Sequence, residues 1–152
     1  MRLSNVLKIS HAASLALHAM TLLAAHPHTG ISTRRIASEL HVSEAHLSKV
    51  LQRLARVGLA VSTRGPNGGF SLGRNADKIT LLDVYETIEG PLVPNTCLLG
   101  APICEGKRCI LGDLLETVHK RVSEYLASTR LSELTSIYRS ETRLAEKEDA
   151  DT

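Results

Sequence analysis

The run Ser43-Glu-Ala-His-Leu-Ser-Lys-Val-Leu-Gln-Arg-Leu-Ala-Arg-Val-Gly-Leu59, with Arg64-Gly-Pro-Asn-Gly-Gly-Phe70 close behind it, decides the fold. Ser43 is a good N-cap, since its hydroxyl can accept from an orphan amide of the first helical turn. Leu47, Val50, Leu51 and Leu54 then fall at i, i+3, i+4 and i+7, which is one apolar stripe of a helix. Gly58 supplies the left-handed residue on which helices stop. Leu59 to Arg64 and Phe70 to Arg74 read as two short strands around Gly65-Pro-Asn-Gly-Gly69, where proline presets one turn dihedral and the glycines permit positive φ.

Upstream, the segment from Ser32 to Leu40 opens with another N-cap and puts Ile36, Ala37 and Leu40 on one face of a short helix. His41 and Val42 turn tightly into Ser43, and two short helices across a brief turn spell helix-turn-helix. From Ser10 to Ala25, His11, Ser14, His18 and Thr21 recur on one side while Leu15, Ala19, Leu22 and Leu23 fill the other, predicting an amphipathic first helix that ends before His26-Pro27. Downstream, Thr80 and Asp83 form a capping box for a helix carrying Leu81, Leu82, Val84, Tyr85 and Ile88, and Gly90-Pro91 ends it.

Residues 90–109 form a long loop, and loops of that length without structure of their own are functional or disordered. From Leu111 to Thr129, the residues Leu111, Leu115, Val118, Val122 and Tyr125 follow the four-three period of a coiled-coil seam, the best place for dimerisation. A short helix around Leu131, Leu134 and Ile137 closes the pattern, and the charged run from Arg139 is expected to fray. The expected fold is mainly α with a small β-hairpin wing, a winged helix-turn-helix plus a long C-terminal dimerisation helix. It divides into a DNA-binding unit at 1–90, a cysteine loop at 91–110, the dimerisation and terminal helices at 111–138, and a disordered tail at 139–152.

The 152 residues suffice for one core, and 43% hydrophobic content excludes a disordered chain. A net charge of +2 does not announce a nucleic-acid partner, but its distribution does. Residues 34–74 hold Arg34, Arg35, Lys49, Arg53, Arg56, Arg64 and Arg74 against only Glu39 and Glu44. The N-terminus lacks the marks of a signal peptide and no stretch approaches a membrane span, so a cytoplasmic location without membrane contact is expected. No paired carboxylates or nucleophile–base pair stand out, and the glycine run opens no helix as phosphate loops do, so an enzyme is not expected.

A recognition helix enters the major groove with its first residues against base edges. Its non-core face here offers Ser43, Glu44, Ala45, His46, Ser48 and Lys49, with Arg53 directed to the phosphate backbone. At the wing, Arg64, Asn67 and the open amides of Gly68 and Gly69 suit phosphate or minor-groove contact. The plainer reading, a solvated helix face, loses ground because helix-turn-helix and wing occur together.

The two quoted runs, with Ile79-Thr-Leu-Leu-Asp-Val-Tyr-Glu-Thr-Ile-Glu-Gly90, resemble the Rrf-two family of winged helix-turn-helix transcription regulators. That is the group of the iron-sulfur regulator IscR, the nitric-oxide regulator NsrR, the iron regulator RirA and the cysteine regulator CymR. The resemblance spans roughly residues 1–135, and the wing is its most specific part. It implies a homodimer on double-stranded DNA, each head in one half-site of a roughly palindromic operator, with repression the commoner habit. In the iron-sulfur regulator a recognition-helix glutamate tunes promoter choice; Ser48 stands there in this chain, so operator preference does not carry over.

Cys97, Cys104 and Cys109 follow the pattern C-x6-C-x4-C. Thiolates are soft ligands for zinc, copper(I) or iron-sulfur clusters, and Lys107 and Arg108 would favour thiolate while Glu105 opposes it. Spacing alone leaves a cluster, structural zinc and plain thiols open. The resemblance implies an iron-sulfur cluster, 2Fe-2S or 4Fe-4S, acting in redox, nitric-oxide or iron sensing. Family gaps are five and five, or seven and five, and Gly112 replaces the iron-sulfur regulator's histidine. The fourth ligand must come from elsewhere. By analogy with the nitric-oxide regulator, the start of the partner's first helix offers Ser10 and His11. His11 of the partner subunit is the candidate, His18 and His119 are weaker competitors, and water or a small thiol are the other donors open. Two alternatives stand beside this reading: a cluster-free thiol redox regulator, and a small metal-binding protein or metalloenzyme.

Overall fold

The computed structural model describes residues 7–66, 68–94, 97–99, 101, 103–105 and 108–138. Asn67, Lys107 and the 139–152 tail therefore lie outside the described residues. In chain order the elements are α1 (His11–Ala25), α2 (Thr33–Leu40), α3 (Glu44–Arg56), strands β1 (Ala60–Thr63) and β2 (Gly69–Leu72), a 3-10 turn (Ala76–Lys78), α4 (Leu81–Glu89), α5 (Leu114–Ser128) and a second 3-10 turn (Leu131–Glu133). The mainly helical winged helix-turn-helix with its two-stranded hairpin is as expected from sequence.

Local chemistry fixes the helix ends. The hydroxyls of Ser10, Ser32 and Ser43 accept from the amides of Ala13, Arg35 and His46 at 3.1, 3.2 and 3.4 Å, each satisfying an orphan donor. Thr80 and Asp83 make the reciprocal capping box of α4, at 2.9 and 3.2 Å. His41 ends α2 in the left-handed region at φ 53°, and Gly58 follows α3 at φ 78°.

Two expectations change. α1 is not half-exposed: from Ala13 onward it is buried on nearly every side, and Thr21 is buried too. Thr21 escapes the desolvation penalty because its hydroxyl donates to the Leu17 carbonyl at 2.8 Å. The dimer-helix candidate starts later than Leu111, at Leu114, because Gly112 sits in the left-handed region at φ 59° and turns the chain there.

The wing is anchored to the body. β1 and β2 pair antiparallel, Ala60 opposite Leu72 and Thr63 opposite Gly69. Ile31, just before α2, forms a bridge with buried Phe70, exchanging N–H···O bonds of 2.9 and 2.8 Å. A second bridge joins Thr80 to Arg130, with bonds of 3.0 Å from Leu81 to the Thr129 carbonyl and from Leu131 to the Ile79 carbonyl. It tethers the end of α5 to the start of α4 and buries Leu131 completely. Each such fully buried aliphatic side chain contributes about 2 kcal/mol.

The start of α1 is held by α4. The Glu89 carboxylate, its side chain 7% exposed, accepts the Ser10 amide at 2.9 Å and lies 3.7 Å from Lys8 Nζ. Burial alone would raise the Glu89 carboxyl, but the Ser10 hydrogen bonds and the Lys8 charge outweigh it and hold the group below its ordinary value. Tyr85 donates to the Lys8 carbonyl at 2.8 Å; burial, then the charges of Glu89 and Glu86, push its phenol up, so it remains a donor.

Two outcomes are expected. A Cβ on Gly73 would stand 2.2 Å from the Gly58 carbonyl oxygen, backbone that cannot yield cheaply, so Gly73→Ala should destabilise by about 2–3 kcal/mol, read as a lowered urea midpoint. Glu89, lowered in the folded state, stabilises above the unfolded glutamate value and loses this as pH falls through its folded value. Glu89→Gln should therefore cost about 1–2 kcal/mol at neutral pH, with the gap to the wild type closing in acid below the ordinary glutamate range; a gap independent of pH would contradict the assignment.

Candidate nucleic-acid interface and cysteine cavity

The core stripe of α3 leaves its opposite face outward. Ala45, Lys49, Gln52 and Arg56, at i, i+4, i+7 and i+11, lie along that face and are exposed. Ser43 and Glu44 are exposed at its start, and Ser48 is half-buried at its edge. The Gln52 amide donates to the Ser48 hydroxyl at 3.3 Å, which leaves its carbonyl oxygen as an acceptor. Between α3 and the hairpin runs an open cleft of about 500 Å³ lined by Ser48, Gln52, Arg56, Ser62 and Phe70. A neighbouring cleft of about 380 Å³ joins Thr33 and Arg34 of α2, Glu44 of α3 and Arg64 of the wing.

Several expected residues sit differently from their sequence reading. Arg53 is exposed, and its Nη2 donates to the carbonyls of Ile88 and Thr87 at 2.9 and 3.4 Å. It thus covers the negative end of α4, where helical carbonyls lack intrahelical donors. The Gly68 amide is not open but donates to the Gly65 carbonyl at 2.8 Å within the turn. A Cβ there would lie 2.4 Å from the Thr63 oxygen, and one on Gly69 would lie 2.3 Å from the Ile31 oxygen. Both glycines are required by the protein's own backbone. His46 is half-buried, its ring 5.1 Å from that of His11 at the start of α1.

As candidate contacts, sequence reading passed over Gln52 and Ser62, and it counted Arg56 and Arg34 only in the basic excess. The periodicity that located the α3 core, followed on its opposite face, marks Gln52 and Arg56. Arg34 and Ser62 join the cleft only through tertiary packing.

The three cysteines do converge. Cys97, Cys104 and Cys109 line one cavity of about 340 Å³ with Leu98, Leu99, Ile103 and Ile110. None is in a disulfide, and the Leu111 amide points at Cys109 Sγ from 3.4 Å. The donor set, three soft thiols in an aliphatic shell, suits a thiolate-bound cluster. Among the described residues no three His, Cys, Asp or Glu side chains are already grouped for a metal ion. His11 is not in the cavity lining, His18 Nδ1 donates to the Ser14 carbonyl at 2.7 Å, and His119 pairs with Ser123 at 3.3 Å. The loop's aliphatic side chains remain uncovered, with Ile103 80% and Ile110 91% exposed. On α5, Leu114 and Tyr125 are exposed and Val118 and Val122 half-buried, an apolar face without cover in the single chain. Among the described residues no helix is long and apolar enough to cross a membrane.

Comparison with known proteins agrees with this geometry. The family model Rrf2, described as an iron-dependent transcriptional regulator, matches residues 9–137. The regulator IscR of Erwinia tasmaniensis is 32% identical over 121 residues, covering 78% of this chain and 73% of that protein. IscR of Pectobacterium atrosepticum is 30% identical over 139 residues, covering 90% and 84%. Among solved structures, CymR, the global cysteine regulator of B. subtilis, superposes with a TM-score of 0.74 at 32% identity, covering 86% of this chain and 98% of that one. IscR of T. potens gives 0.67 at 27% identity, covering 88% and 90%. These relatives regulate transcription and are not enzymes, and this chain belongs to the Rrf2 family of transcriptional regulators.

Proposed function

We propose that this regulator is a cytoplasmic homodimer, in its commonest mode a repressor, whose grip on a roughly palindromic operator is set by an iron-sulfur cluster at Cys97, Cys104 and Cys109. The observation that carries the reading is the convergence of all three cysteines, drawn from a segment of irregular backbone, on one aliphatic cavity. Such a cluster, when bound, supplies reversible one-electron chemistry and sensitivity to oxidants, nitric oxide or iron supply. The chain supplies the rest. Leu98, Leu99, Ile103 and Ile110 surround the thiols with an aliphatic lining and Cys109 takes an amide hydrogen bond. A fourth donor comes from outside the cavity, with His11 of the partner subunit as the proposed source.

On the DNA side, Ala45, Lys49, Gln52 and Arg56 with Ser43, Glu44, His46 and Ser48 form the major-groove face, and Arg64 serves the wing. Gly68 and Gly69 would then bring the wing's backbone close to the duplex. Gln52, with its acceptor presented by Ser48, suits reading of base edges, whereas Lys49, Arg56 and Arg64 suit phosphates. Pairing through the uncovered face of α5 would set two heads about one helical turn of DNA apart. A second reading, direct thiol oxidation without a cluster, is supported by one observation: Cys104 is exposed and outside any disulfide.

Anaerobic purification with absorption, iron and sulfide measurement separates the two. Visible colour in the wild type, lost in each of Cys97→Ala, Cys104→Ala and Cys109→Ala, is the expected result. Colourless protein whose DNA affinity follows thiol oxidation gives the role to the cysteines alone. On a duplex selected by the wild type, Lys49→Ala should lower the slope of log affinity against log salt by about 1 across sequences. Gln52→Ala should instead relax discrimination at one base pair by about 1–3 kcal/mol. Binding that ignores salt would exclude this surface.

A further inference from the structure

The last turn of α4 spends four successive residues on three different parts of the molecule. Glu86 Oε1 accepts the Leu92 amide at 3.0 Å, holding the start of the segment that leads to Cys97. The Thr87 and Ile88 carbonyls accept Arg53 of α3, at 3.4 and 2.9 Å. Glu89 accepts the Ser10 amide at the start of α1, next to His11, whose ring packs on His46 of the same α3. The cysteine segment and the recognition helix are therefore joined through one helical turn. The joint on the recognition-helix side is one guanidinium nitrogen, Nη2, shared between two carbonyls at the end of a helix, where charge and hydrogen bonding reinforce each other.

We infer that Arg53 is a positioning residue that transmits the state of the cysteine loop to the recognition helix, through the last turn of α4. This rests on the cysteine-loop reading above. A change at residues 91–94 pulls on Glu86 through the Leu92 amide and shifts the carbonyls that Arg53 grips, so α3 changes its seat relative to the wing. Without Arg53 the two loop states would differ far less at α3, with only the Glu89–Ser10 and His11–His46 contacts left between them, since a ligand shifts an equilibrium only through contacts that differ between two states.

The test uses the full chain on a duplex selected from random sequence by the wild type. Affinity is measured after anaerobic incubation with ferrous iron and sulfide, and again after chelation with thiols reduced. The wild type should differ by about 10-fold or more between states, and Arg53→Gln by less than about threefold. Iron uptake and salt slope should stay unchanged in the variant. A variant that keeps the wild-type ratio overturns the relay and leaves the cysteine reading standing. A salt slope lower by about 1 also overturns it, because Arg53 would then be a phosphate contact. A wild type indifferent to the two states removes the cysteine reading and the relay together. Should Arg53→Gln not fold, amide exchange in the wild type decides: protection at residues 50–56 and 84–90 must differ between the two states, and identical protection overturns the inference.

Discussion

Everything in this structure is hung on α1. A helix of small and medium side chains, Ala13, Ala16, Ala19, Met20, Leu22 and Leu23 among them, is buried almost all round. Alanines let neighbouring backbones approach, while leucines and methionine fill the gaps at close-packed density. α3 and α4 pack on this pillar, and the hairpin reaches it through β2. The outward face of α3 is consequently a by-product of how α3 seats its inner face. Binding chemistry and core packing share one helix, two sides apart.

What was legible in the sequence was local. Serine caps, the capping box at Thr80 and Asp83, and the glycine stops are short-range hydrogen-bonding and dihedral constraints, and each stands where it was read. What escaped needed partners far along the chain. The Ile31–Phe70 and Thr80–Arg130 bridges and the Arg53 contact with α4 join residues tens of positions apart, and no periodicity encodes them. Thr21 misled for another reason. Its hydroxyl can satisfy itself one turn back, so a polar letter passed for an exposed one.

The candidate site shows the same division. The three cysteines were visible as a cluster of soft ligands, and the fold gathers them around one cavity. The glycines of the wing were visible too. Their missing side chains make room for Thr63, Gly65 and Ile31 of the same chain. Composition indicated that backbone comes close to something there; only packing says to what.

The Ile31–Phe70 bridge has one more consequence. A hairpin whose second strand is sewn to the segment that launches α2, with Gly69 leaving no slack between the two backbones, is fixed at its base and not hinged there. A duplex engaging hairpin and helix together has to bring its own grooves to their fixed spacing. The work of deformation then falls on the nucleic acid, and pliable base steps that no side chain touches gain a vote in which sequences are held.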